Sequence, residues 1–122
     1  MDNLDKYSVL CDISARIPHR TMCTITLYDG TQLTKELSVG IYEQFQQGSV
    51  ITEIKPHLVA YKNMPKELSD EIFQLIIDKE KHLSNRIARI TDILLRNNID
   101  YKGLLYKKLA IEVPYTAPTK QQ

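Results

Sequence analysis

Residues 66–97 read KELSDEIFQLIIDKEKHLSNRIARITDILLRN, and the reading of this stretch decides the fold. Its apolar residues are Leu68, Ile72, Leu75, Ile76, Leu83, Ile87, Ile90, Ile93 and Leu94. At 100° per residue all nine fall within about 60° of one direction, the signature of an amphipathic helix. Ser69-Asp70-Glu71 supplies start chemistry, Pro65 suits a first turn, and Asn97-Asn98 suits a left-handed stop. The expected element is one long helix over residues 64–98. A helix over residues 66–97 would span about 48 Å, whereas a globule of this chain length has a radius of gyration of about 14 Å. An unbroken helix therefore overhangs its own domain. The alternatives are a break at Ser84-Asn85, both weak helix formers, or a second chain that covers the overhang. The stripe passes Ser84-Asn85 without a phase shift, which favours the unbroken helix.

Outward from this stretch, the first half reads as sheet. Residues 7–13 (YSVLCDI) set Val9, Cys11 and Ile13 on one face, and residues 21–28 (TMCTITLY) set Cys23, Ile25 and Leu27 on one face. A hairpin centred on Ile17 then places Cys11 opposite Cys23, both buried and free. Asp29-Gly30 is a turn signal. A three-residue loop, with Gly30 in the left-handed position, pairs Ile25 with Leu33 and keeps the apolar faces together. Ser38 and Gly48 bracket a short helix over residues 39–47. Residues 49–55 and 57–62 follow as strands on either side of Pro56, which restricts that junction to an edge or bend. After the long helix, Asp100 caps a short helix, and residues 109–113 alternate as a last strand. The fold class expected is α+β. A small curled antiparallel sheet of four to five strands, OB-like in outline, carries a short helix between strands 3 and 4 and packs on the long C-terminal helix. A single domain spans residues 1–114, with a sheet-rich half at 1–62, the long helix at 64–98 and a short helix and strand at 100–113. Residues 115–122 form a flexible tail.

Charge is unevenly placed. Residues 1–78 hold 7 Lys/Arg against 11 Asp/Glu, and residues 79–108 hold 8 against 3, so an acidic body carries a basic segment. His82, Arg86, Arg89 and Arg96 lie on one flank of the expected helix, with Lys102, Lys107 and Lys108 beyond it. These are candidate contacts to phosphates or to an acidic partner, with Tyr101 and Tyr106 available to stack on bases. Acidic residues at the start of a helix and basic ones at its end also suit the helix dipole, and arginine beside an apolar seam suits a helix–helix interface.

Chemistry-bearing motifs are lacking. His19, His57 and His82 form no metal-ligand spacing, the glycines are isolated, and the cysteines make no CxxC. The sequence names no catalytic residue, cofactor or metal. Two cysteines without a disulfide framework, a polar N-terminus and no long apolar run point to a cytoplasmic protein away from the membrane. The function expected is that of a non-enzymatic protein-interaction module. It self-associates as a homodimer through Leu83, Ile87, Ile90 and Leu94 on two antiparallel long helices, which also brings opposite charges together. The alternative is a nucleic-acid-binding protein that uses an OB-like sheet and the basic flank. On this phase Ile87→Asp is expected to do far more damage than Arg89→Asp.

Overall fold

Asp2 accepts the N–H of Asp5 at 2.7 Å and starts helix α1 (Asn3–Arg16). This segment is the first correction to the sequence reading, which made residues 7–13 a strand. Val9 and Ile13 satisfy a period of two, but they are also one helical turn apart, and both are fully buried in α1. Asp12 and Arg16, again one turn apart, lie on the buried side as an ion pair. Cys11 is therefore exposed on a helix, while Cys23 is buried in a strand, and the two do not face each other. The computed structural model describes residues 2–79 and 81–118.

A short 3₁₀ turn through Pro18 leads to strands β1 (Met22–Leu27) and β2 (Gln32–Glu36). They pair antiparallel with Ile25 opposite Leu33, the register the alternating faces require. In the loop Gly30 has φ 88°, and the Asp29 carboxylate accepts the N–H of Thr31 at 3.0 Å. Helix α2 (Val39–Gln47) is bounded as its punctuation dictates. The Ser38 hydroxyl accepts the N–H of Ile41, and Gly48 closes the helix at φ 78°.

Strand β3 (Ile51–Ala60) runs straight through Pro56, so the two strands expected on either side of it are one. Proline is accommodated because position 56 is where β3 changes partners. Ile51 to Pro56 pair with β1, and the residues beyond pair with two short parallel strands. These follow helices α3 (Lys66–Ile77) and α4 (Leu83–Arg96) and are β4 (Ile99–Asp100) and β5 (Ile111–Glu112). The sheet order is β2-β1-β3-β4, with β5 also beside β3. It is an open, mixed five-stranded sheet in an α+β fold, not the curled antiparallel OB-like sheet expected from strand count.

The single helix over 64–98 is corrected as well. The chain breaks between Ile77 and Leu83, and Ser84-Asn85 sit inside the first turn of α4. Folding back lets Ile93 and Leu94 of α4 bury themselves in the same cluster as Ile72 and Leu75 of α3. Between β4 and β5, residues 101–108 run through turns in place of the short helix. Asp100 accepts the N–H groups of Leu104 and Leu105, and Gly103 and Lys108 have positive φ. The strand expected over 109–113 is two residues long. The start of the expected tail is anchored. Tyr115 packs on the second cluster and its hydroxyl donates to Asn97 at 3.1 Å. Residues 119–122 of that tail lie outside the described residues.

Two apolar clusters result, divided by β3. Leu58 belongs to a core with Val9, Ile13, Cys23, Ile25, Phe45 and Ile54, and its neighbour Val59 belongs to the α3–α4 core with Ile72, Leu75, Ile93 and Ile99. Adjacent strand residues point to opposite sides, so one strand serves both. Arg16 bridges the two. Its guanidinium pairs with Asp12 and donates to the carbonyl of Ile99 at 2.9 Å.

Candidate interaction surface

The α3–α4 hairpin is built with weak ends. Pro65 caps α3 without a side-chain hydrogen bond, and His82 does the same for α4. Arg86 ties the two helices together. Its Nη1 donates to the carbonyls of Ile76 at 2.9 Å and Leu75 at 3.4 Å. These carbonyls lie in the last turn of α3, where a helix has no intrahelical donor to offer and where the dipole favours a cation. Arg86 thus has an intramolecular partner.

The apolar stripe is only partly used by the hairpin core. Of the four residues assigned to self-association, Leu94 is buried and Ile90 is half-buried, whereas Leu83 and Ile87 are 62% and 53% exposed. Across the break, Phe73, Ile76 and Ile77 of α3 are also exposed, at 57%, 57% and 48%. The five lie in the last turns of α3 and the first turns of α4. Phe73 and Ile77 were missed as site residues because they lie off the stripe. The signal was present in the run Phe73, Leu75, Ile76, Ile77, which carries apolar residues most of the way round one helical turn. An open cleft of about 600 Å³ is lined by Glu71, Asp78 and Arg89 among others.

The other basic candidates are dispersed. Arg96 pairs with Asp92 at 3.8 Å in an exposed i,i+4 contact, the kind worth well under 1 kcal/mol. The Lys102 ammonium lies 5.7 Å from the centre of the Tyr101 ring, and the guanidinium of Arg16 lies at the same distance from it. His82, Arg89, Lys107 and Lys108 are exposed, as is Tyr106. The basic candidates thus lie partly at and along α4 and partly in the 101–108 loop beyond it.

The remaining reactive side chains have structural surroundings. Burial pushes the Cys23 thiol up to about 11, and its Sγ donates to the carbonyl of Lys35. The neighbouring Cys11 side chain raises the Tyr7 phenol above its ordinary value. His57 Nε2 lies 2.8 Å from Thr24 Oγ1, and partial burial lowers its pKa. Among the described residues no group of three or more His, Cys, Asp or Glu side chains is placed to hold a metal ion. No helix among them is long and apolar enough to cross a membrane.

Comparison with protein-family models, with curated proteins and with solved structures finds no match to this chain.

Proposed function

We propose that the chain is a non-enzymatic protein-interaction module that self-associates as a homodimer through its α3–α4 hairpin. One observation supports the reading above others. Phe73, Ile76, Ile77, Leu83 and Ile87 gather five large apolar side chains in water around one turn of chain. Fully burying such a side chain is worth about 1.5–3 kcal/mol, and large apolar side chains left exposed at one end of a fold suit a surface that another macromolecule covers. A second copy fits it by charge. Glu67, Asp70 and Glu71 make α3 acidic and Arg86, Arg89 and Arg96 make α4 basic, so a two-fold contact sets unlike charges together. The test is the mass in solution across a concentration series at low and high salt. Association that buries apolar surface persists at high salt.

A nucleic-acid-binding reading draws on the exposed Tyr106 beside Lys107 and Lys108. Stacking on an exposed tyrosine and contact of lysines with phosphates suit a single strand. Its mark is binding to an oligonucleotide that falls steeply with salt and is lost in Tyr106→Ala.

A further inference from the structure

The loop between β4 and β5 is fixed at its root and bare at its tip. Asp100, 7% exposed, pairs with Ala60 in the sheet and turns its carboxylate onto the chain that follows. Its Oδ1 accepts the N–H of Leu104 at 3.0 Å and its Oδ2 that of Leu105 at 2.8 Å. Three backbone hydrogen bonds close the rest, from Lys107 to Gly103, Lys108 to Leu105 and Leu109 to Leu104. Leu104 and Leu109, one on each side of the tip, are buried in the first apolar core. Between these anchors Tyr106, Lys107 and Lys108 are exposed, with Tyr106 at 92%.

The tip does little for the fold. A tyrosine stabilises a domain by burying its ring, and this ring stays in water. Lys108 takes φ 62°, a left-handed conformation that glycine or asparagine adopts at lower cost. Among the described residues neither Lys107 nor Lys108 belongs to an ion pair. An ordered loop therefore presents one aromatic ring and two consecutive cations to solvent.

We infer that this loop is a preformed contact for a single-stranded nucleic acid and that Asp100 is the residue that positions it. This rests on the nucleic-acid reading above and specifies its form. The Tyr106 ring stacks on one base, and Lys107 and Lys108 meet the adjoining phosphates. In a duplex the faces of the bases are covered by their neighbours, so the ring has nothing to stack on and the single strand is preferred. Stacking serves any base, which makes the contact tolerant of sequence. Because the loop is already ordered, little conformational freedom is lost on binding. A lipid surface would draw on apolar side chains beside the lysines, but Leu104 and Leu105 are turned onto the core.

The test is fluorescence anisotropy of a short labelled oligothymidylate over a salt series, with circular dichroism to show that each variant is folded. Tyr106→Ala is expected to weaken binding by about 5-fold or more. Lys107→Gln with Lys108→Gln is expected to reduce the slope of log affinity against log salt by about 1.4. Asp100→Asn keeps the shape of the side chain but offers one acceptor oxygen to two N–H groups. It is expected to weaken binding by about 3- to 10-fold and to leave the salt slope unchanged, since the lysines remain. Should Asp100→Asn not fold, Gly103→Ala takes its place, because Gly103 has φ 78° with open space around it and alanine there strains only the loop backbone. A folded loop variant that binds as tightly as wild type, while Tyr106→Ala is weakened, overturns the preformed contact and leaves the nucleic-acid reading standing. A wild-type protein that binds no oligonucleotide, or binds only vesicles of anionic lipid, overturns both.

Discussion

The guanidinium of Arg86 reaches across the break between α3 and α4 to donate a 2.9 Å hydrogen bond to the carbonyl of Ile76, ten residues earlier. A side chain from the first turn of one helix thereby caps the last turn of the previous one. The contact helps to explain why a stretch with an uninterrupted apolar stripe folds back. Arg86→Ala removes a charge-assisted hydrogen bond of the kind worth about 1.5–3 kcal/mol. The thermal midpoint, read by circular dichroism, is expected to fall by several degrees, roughly in the range a change of that size produces in a domain of this length. An unchanged midpoint would show that the hairpin does not depend on this cap.

Asp12 and Arg16 form a fully buried ion pair, with Nε to Oδ2 at 2.8 Å and Nη2 to Oδ1 at 3.1 Å. Removing one member leaves the other charged and dry. Asp12→Ala is expected to cost about 3–5 kcal/mol, while the double replacement Asp12→Leu with Arg16→Met costs much less, because no uncompensated charge remains. Urea unfolding of the single and double variants checks this. If the double variant is as damaged as the single one, the value of the pair lies in its bond to the Ile99 carbonyl and not in charge compensation.

The two cysteines should behave as different reagents. Cys11 is exposed and Cys23 is buried with a thiol pushed up to about 11. A thiol reagent in the folded protein is expected to label Cys11 alone, with Cys23 reacting only on unfolding. The same shift sets a pH dependence. The unfolded Cys23 loses its proton near its ordinary value of 9.0, while the folded one holds it until about 11. Its contribution to stability is thus complete below pH 9 and lost as the pH rises through 11. Cys23→Ala should flatten the stability profile over that interval, and an identical profile would contradict the assignment.

Parts of this fold are legible in the sequence for local reasons. Asp29-Gly30, Ser38 and Gly48 dictate the β1–β2 loop and both ends of α2, because each acts through its own backbone or that of a near neighbour. Helix α1 is misread because Val9 and Ile13 satisfy two periods at once. The deciding pair, Asp12 and Arg16, puts charge on the buried face, where pattern reading expects none. The break before α4 is not marked by Gly or Pro, and Arg86 and the shared core, which help to hold it, act from outside the turn. Strands β4 and β5 are two residues each, too short for any alternation to register. Of the candidate surface, the stripe made Leu83 and Ile87 legible. Phe73 and Ile77 needed the structure to show which faces of α3 are left uncovered.

Ile87 and Ile93 lie on one helix with opposite burial, 53% against 3% exposed. That changes the meaning of a charge at position 87. Ile93→Asp is expected to cost several kcal/mol and unfold the domain, since it buries an unpaired carboxylate. Ile87→Asp should leave the stability of the dilute, monomeric chain within about 0.5 kcal/mol of wild type, as a surface change does. Comparable loss in both variants would mean that Ile87 is buried within a single chain.

Sedimentation equilibrium of the wild-type protein beside Ile87→Asp, at micromolar concentration, tests self-association through the α3–α4 hairpin most directly. The account predicts a wild-type mass of twice 14.1 kDa that persists at high salt, and a folded Ile87→Asp variant at 14.1 kDa. A folded wild-type protein at 14.1 kDa throughout the concentration series, or a dimer that Ile87→Asp does not weaken, would contradict it.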